Sequence, residues 1–167
     1  MLIFVTDEKI SAKLCKKKNG KIVLVSDELS LVDVEDGAEA KQFLPPAETL
    51  APLINDGDID EFKRRYFHYL SDPRVRHILL LYVWGAVDTP TFFVCSKTEK
   101  DLKYLKFLRE YVIYYLGVPK KYCVKHKDYA KDIKMDKQTA AKIQDMMRKS
   151  ISKAKEAFTV YGGSEEE

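Results

Sequence analysis

"TFFVCSKTEK", residues 91–100, joins two elements within ten positions. Residues 91–95 are apolar on both faces, as a strand inside a parallel sheet must be. Ser96 and Glu99 have the S-x-x-E spacing of a capping box, which predicts a helix N-terminus directly after that strand. The stretch therefore reads as one β-turn-α unit in a sheet interior. Downstream, "EKDLKYLKFLREYVIYYLG" (99–117) repeats apolar residues at Leu102, Leu105, Leu108, Val112 and Leu116, with Gly117 as the stop. Upstream, "RHILLLYVWGAV" (76–87) is a buried strand or a buried helix, which periodicity alone does not separate.

The amino-terminal part repeats the strand-helix-strand pattern. "LIFVT" (2–6) and "KIVLVS" (21–26) read as buried strands, "EKISAKLCKKK" (8–18) as a short helix between them, and Asn19-Gly20 as its stop. The two strands are expected to pair in parallel, with a long-looped hairpin as the alternative. "LSLVDVED" (29–36) alternates like a half-exposed strand, and Pro45, Pro46 and Pro52 break up the next stretch, which reads as a short helix near 47–54. A helix running to Leu70 follows. Asp56, Asp58 and Asp60 before it resemble a calcium loop, but Gly57 is misplaced and the twelfth position is Phe67, so they read as acids favouring a helix N-terminus. After Pro119 comes the basic segment "KKYCVKHKDYAKDIK" (120–134), then a last helix from about Lys137 to Phe158. The expectation is a small Rossmann-like α/β domain over 1–160: a mostly parallel sheet flanked by helices, with a basic helical extension at 120–160 and a disordered acidic tail at 161–167.

The chain has 167 residues and a net charge of +3, but the charge is unevenly placed. Residues 1–61 carry a balance of −6, residues 62–164 one of +12, and the last three residues −3. A basic half attracts phosphates, although a lysine-rich helix is more often simply a solvated face. Three cysteines, Cys15, Cys95 and Cys123, without a C-x-x-C pair, argue against a disulfide framework or structural metal and for a reducing compartment. No apolar run is long enough to span a membrane. A cytoplasmic, soluble and unprocessed protein is expected, with no cofactor and no metal.

Candidate chemistry centres on Cys95. At a helix N-terminus its thiol would meet free N–H groups and the positive end of the dipole, and Ser96, Lys97, Thr98 and Lys100 would form an anion site beside it. An arginine six positions on, as in tyrosine phosphatases, is absent: Asp101 stands there. There is no G-x-S-x-G, Walker, G-x-G-x-x-G or H-E-x-x-H motif, and His68, His77 and His126 lie in different elements. Cys95 is thus a weak catalytic candidate, and no catalytic set is assigned. Nucleic-acid contact is expected from Lys120, Lys121, Lys125, Lys127, Lys131 and Lys134, with Tyr122 and Tyr129 for stacking.

From Phe43 to about Val118, "FLPPAETLAPLINDGDIDEFKRRYFHYLSDPRV" and "FFVCS" resemble the "domain of unknown function four-eight-eight" family, in its Pro-containing turn, acidic helix start, "rRY…L" helix and Leu-Leu-Cys strand. The chain is similar to a distant, degenerate member of that family. Members carry a Cys-His-Arg triplet eight positions after the strand cysteine; here those positions hold Lys103, Tyr104 and Leu105, so only Cys95 carries over. The resemblance, to a family common in bacteria and phages, implies a Rossmann-like α/β fold. Three functions stay open: a non-catalytic accessory protein contacting nucleic acid through the basic half, a protein-binding inhibitor or accessory factor of phage or mobile-element origin, and a Cys95-dependent enzyme on nucleotides or phosphoesters.

Overall fold

The computed structural model of the chain describes residues 1–6, 20–26, 38–39, 43–45, 49, 52, 57–125 and 134–162, and the side chains of all of these except 38–39 and 157–162. Among these lie five strands: β1 (Leu2–Thr6), β2 (Lys21–Leu24), β3 (Ala38–Glu39), β4 (Thr91–Cys95) and β5 (Cys123–Lys125). All pairings are parallel, in the order β3-β2-β4-β1-β5. Four described helices accompany the sheet: α1 (Ile59–Leu70), α2 (Pro73–Gly85), α3 (Glu99–Tyr114) and α4 (Lys137–Gly162). This is a small Rossmann-like α/β fold with a carboxyl-terminal helix.

The apolar run at 91–95 occupies the middle of the sheet. All five residues of β4 are buried, because strands flank it on both sides. β1 and β2 run parallel but do not touch; β4 lies between them, with Phe93 in register with both Phe4 and Val23. The expected direct pairing is therefore replaced by an insertion. A locally apolar strand carries no signal for which neighbour it will choose.

Of residues 76–87, those up to Gly85 resolve as helix and the last two as the turn that follows it. Pro73 opens α2, a helix of thirteen residues, after an Asp72 side chain that accepts from Arg74 N–H at 3.0 Å. The acidic start of α1 behaves as expected: Asp58 caps it, accepting from Glu61 N–H at 3.0 Å. β5 is hidden in the basic segment, its three residues being too short and mixed to read as a strand. The last helix runs through Tyr161 and Gly162, beyond the end expected near Phe158 and into the stretch expected as a disordered tail. Residues 8–18, 29–36 and most of 47–54 fall outside the described residues, as do 163–167.

Leu2, Phe4, Val23, Phe93 and Cys95 point into the core shared with the helices. There α1 and α3 run side by side in the same direction, Phe62 meeting Tyr104 at 5.1 Å and Phe67 meeting Tyr115 at 5.2 Å between ring centres. The opposite face, Ile3, Val5, Ile22, Leu24, Phe92 and Val94, is equally buried. Gly20 meets the Phe92 ring so closely that a Cβ could not be added without displacing it. α4 packs along α2, where His77 Nδ1 and Ser150 Oγ lie 3.1 Å apart.

Candidate functional site

The chain leaves β1 for β2 on one side of β4, and leaves β4 for β5 on the other side of β1. Between β1 and β4 the direction of progress reverses. Such switch points, at the carboxyl ends of parallel strands, are where open α/β sheets take ligands. Cys95 and the cleft described below both lie at this edge.

Cys95 itself is fully buried, and the turn after it is closed by the protein's own side chains. The helix cap is Thr98, not Ser96: its hydroxyl accepts from Asp101 N–H at 3.3 Å, and Glu99 is the first helical residue. Glu99 instead pairs with Lys103 at 2.8 Å one turn on, a contact that lowers the Glu99 pKa. Ser96 Oγ accepts from Thr98 N–H at 3.2 Å and donates to Asp101 Oδ2 at 2.6 Å. The Ser26 hydroxyl, just past β2, donates to the same oxygen. A buried carboxylate thus occupies the place where an anion was expected. Sequence reasoning misses Asp101 in this role; its T-x-x-D spacing from Thr98 is the signal that could have found it.

Beside this turn, α3 and the ends of β1 and β5 enclose a cleft of about 420 Å³. Phe4, Val5, Thr6, Leu102 and Leu105 form much of its wall, and Lys106, Arg109, Glu110 and Lys125 add charge. Glu110 is engaged by Lys63 at 2.8 Å. Arg109 Nε donates to the Cys123 carbonyl at 2.9 Å, which fixes the guanidinium against β5. Among the described residues no carboxylate pairs with Lys106, Arg109 or Lys125. Burial pushes the Cys123 thiol up to about 12, so it offers no thiolate.

A larger cleft, about 600 Å³, lies where α1 meets α2 and includes Arg64, Arg65 and His68. Its charge is already answered. Glu61 receives Arg64 at 2.5 Å and Arg65 at 2.9 Å, and those hydrogen bonds hold its carboxyl down to about 2.

The lysines expected to form one patch are divided between two edges. Cys123 registers with Leu2, so the chain reaches β5 at the amino edge of the sheet, and Lys125 lies at the other end of that strand. With a rise of about 3.3 Å per residue, Lys125 stands roughly 10 Å from the Lys120–Tyr122 turn. Lys120, Lys121 and Lys134 are exposed. Tyr122 is not available for stacking: it is 2% exposed, and its hydroxyl donates to Asp136 Oδ2 at 2.7 Å. That bond places 120–122 beside the start of α4, where Lys137 and Lys142 are also exposed and Lys142 Nζ lies over Gly117. Lys127, Tyr129 and Lys131 lie outside the described residues. The aromatic rings that do face solvent at the amino edge are Tyr114 and Tyr115, 73% and 62% exposed. They end α3 where the amphipathic pattern stops, a signal present in "YVIYYLG".

Among the described residues no three His, Cys, Asp or Glu side chains converge as metal ligands would, and no described helix is long and apolar enough to cross a membrane. No family model, curated protein or solved structure matches the chain.

Proposed function

We propose that this is a non-catalytic binding protein that contacts nucleic acid through the basic surface of its carboxyl-terminal half. The observation that carries this reading is the exposure of Lys120, Lys121, Lys134, Lys137 and Lys142 around one turn at the amino edge, continued along α4 by exposed Arg148, Lys149, Lys153 and Lys155. Only Asp136, Asp145 and Glu156 oppose them among the described residues of 120–156. Such a surface favours a phosphate backbone by releasing its counterions, without reading sequence. Tyr114 and Tyr115 at the same edge supply exposed rings on which unpaired bases stack, which favours single strands.

The test is fluorescence anisotropy with labelled oligonucleotides of unrelated sequence. Replacing Lys120, Lys121 and Lys134 together by Ala is expected to weaken all of them by a similar factor and to lower the salt slope by about 0.7–0.9 for each phosphate that is no longer neutralised. Unchanged binding by that variant would overturn the assignment of the surface. A protein partner is the second reading, favoured by the same exposed tyrosines, which suit a protein interface as well as a base. Its signature is a partner that stays bound after nuclease treatment.

A further inference from the structure

The cleft at the carboxyl edge differs from the lysine surface in shape and in what its cations face. Lys106, Arg109 and Lys125 reach one concavity from two elements, and among the described residues no carboxylate pairs with any of them. Glu110 also lines the cleft but is paired with Lys63 at 2.8 Å, so the charges left over are positive, and such an excess of one sign concentrates counter-ions of the other. Apart from Thr6 and Glu110 the remaining wall is apolar, Phe4 and Leu105 forming the floor and Leu102, 42% exposed, the rim. At about 420 Å³ the cleft has the size of a small-molecule site rather than of a polymer groove.

We propose that this cleft binds a nucleoside monophosphate. The phosphate sits among Lys106, Arg109 and Lys125, and the base lies against Leu102 with Leu105 and Phe4 behind it. Arg109 is prepared for this role because its Nε is committed to the Cys123 carbonyl at 2.9 Å, which holds the two terminal nitrogens as a fork suited to a phosphate. Thr6 lines the same wall. Inorganic phosphate would satisfy the cations but leave the apolar wall in water. A flat apolar body attached to the anion covers both. The site does not rest on the nucleic-acid reading, since it lies across the sheet from the Lys120–Tyr122 turn.

Calorimetric titration with adenosine monophosphate, adenosine and inorganic phosphate tests it. Adenosine monophosphate is expected to bind with a dissociation constant below about 1 mM, and more tightly than either fragment. Lys106→Ala and Lys125→Ala, both at exposed positions, are each expected to weaken it roughly tenfold. Their folding is checked by unchanged circular dichroism, and Lys120→Ala is expected to leave the titration unaltered. The proposal is overturned by no heat with adenosine monophosphate, by equal binding in the folded Lys106 and Lys125 variants, or by inorganic phosphate binding as tightly as the nucleotide.

Discussion

Cys95 occupies the centre of the sheet's carboxyl edge without touching solvent, and that placement separates its position from any chemistry. A nucleophilic thiol needs both a thiolate and a path for substrate. Thiol reagents should therefore leave Cys95 and the buried Cys123 unlabelled in the folded protein. Cys95→Ser should lower stability by about 1–2 kcal/mol, because a more polar hydroxyl replaces the thiol in an apolar setting. The residue that organises this edge is Asp101, 0% exposed and accepting from Ser26 and Ser96. Asp101→Ala removes the shared acceptor of two buried hydroxyls and should cost about 2–4 kcal/mol in chemical denaturation, with Ser26→Ala restoring part of the loss. Asp136 contributes to the acid limb, as Glu61 does. The Thr139 N–H first, and then the Tyr122 hydroxyl, hold its carboxyl at about 2 instead of 3.8. A depressed folded-state pKa gives stability that is present above pH 3.8 and disappears as pH falls toward 2. Asp136→Asn should thus flatten the pH dependence of the unfolding midpoint over that window; an unchanged slope would contradict the assignment.

Elements are legible where apolar length, periodicity and cap residues agree. The β4 strand, the α3 helix and the acidic start of α1 follow from "TFFVC", the 99–117 repeat and the aspartates before Phe62. The cap of α3 lies two residues beyond its expected place because Ser96 and Thr98 both fit a capping pattern, and only the position of Asp101 separates them. The α2 run is ambiguous since it is apolar nearly all round, which hides a helical period. β5 and the insertion of β4 between β1 and β2 depend on contacts far apart in sequence, which local patterning does not encode. The candidate site is half visible: Lys125 stands out for its charge, whereas Lys106 and Arg109 read as the solvated side of an amphipathic helix. Gly20 reads as a helix stop, but its contact with Phe92 is the tighter requirement. Gly20→Ala should push that buried ring aside and cost about 1–3 kcal/mol, measured as a fall in thermal midpoint.

Across the molecule, the sheet separates two cationic regions of different design. At the amino edge and along α4, lysines and Arg148 form an open surface suited to an extended polyanion. At the carboxyl edge, three cations, the Lys63-paired Glu110 and a largely apolar wall form a small cleft. The first carries the account of function, and its physical signature is dependence on salt rather than on sequence. The most direct measurement is the affinity of the intact protein for two unrelated single-stranded oligonucleotides as salt rises from about 50 to about 200 mM. Straight lines of log affinity against log salt, with the same negative slope for both oligonucleotides, are predicted. No binding at the lowest salt, or affinity that salt leaves unchanged, would contradict the account.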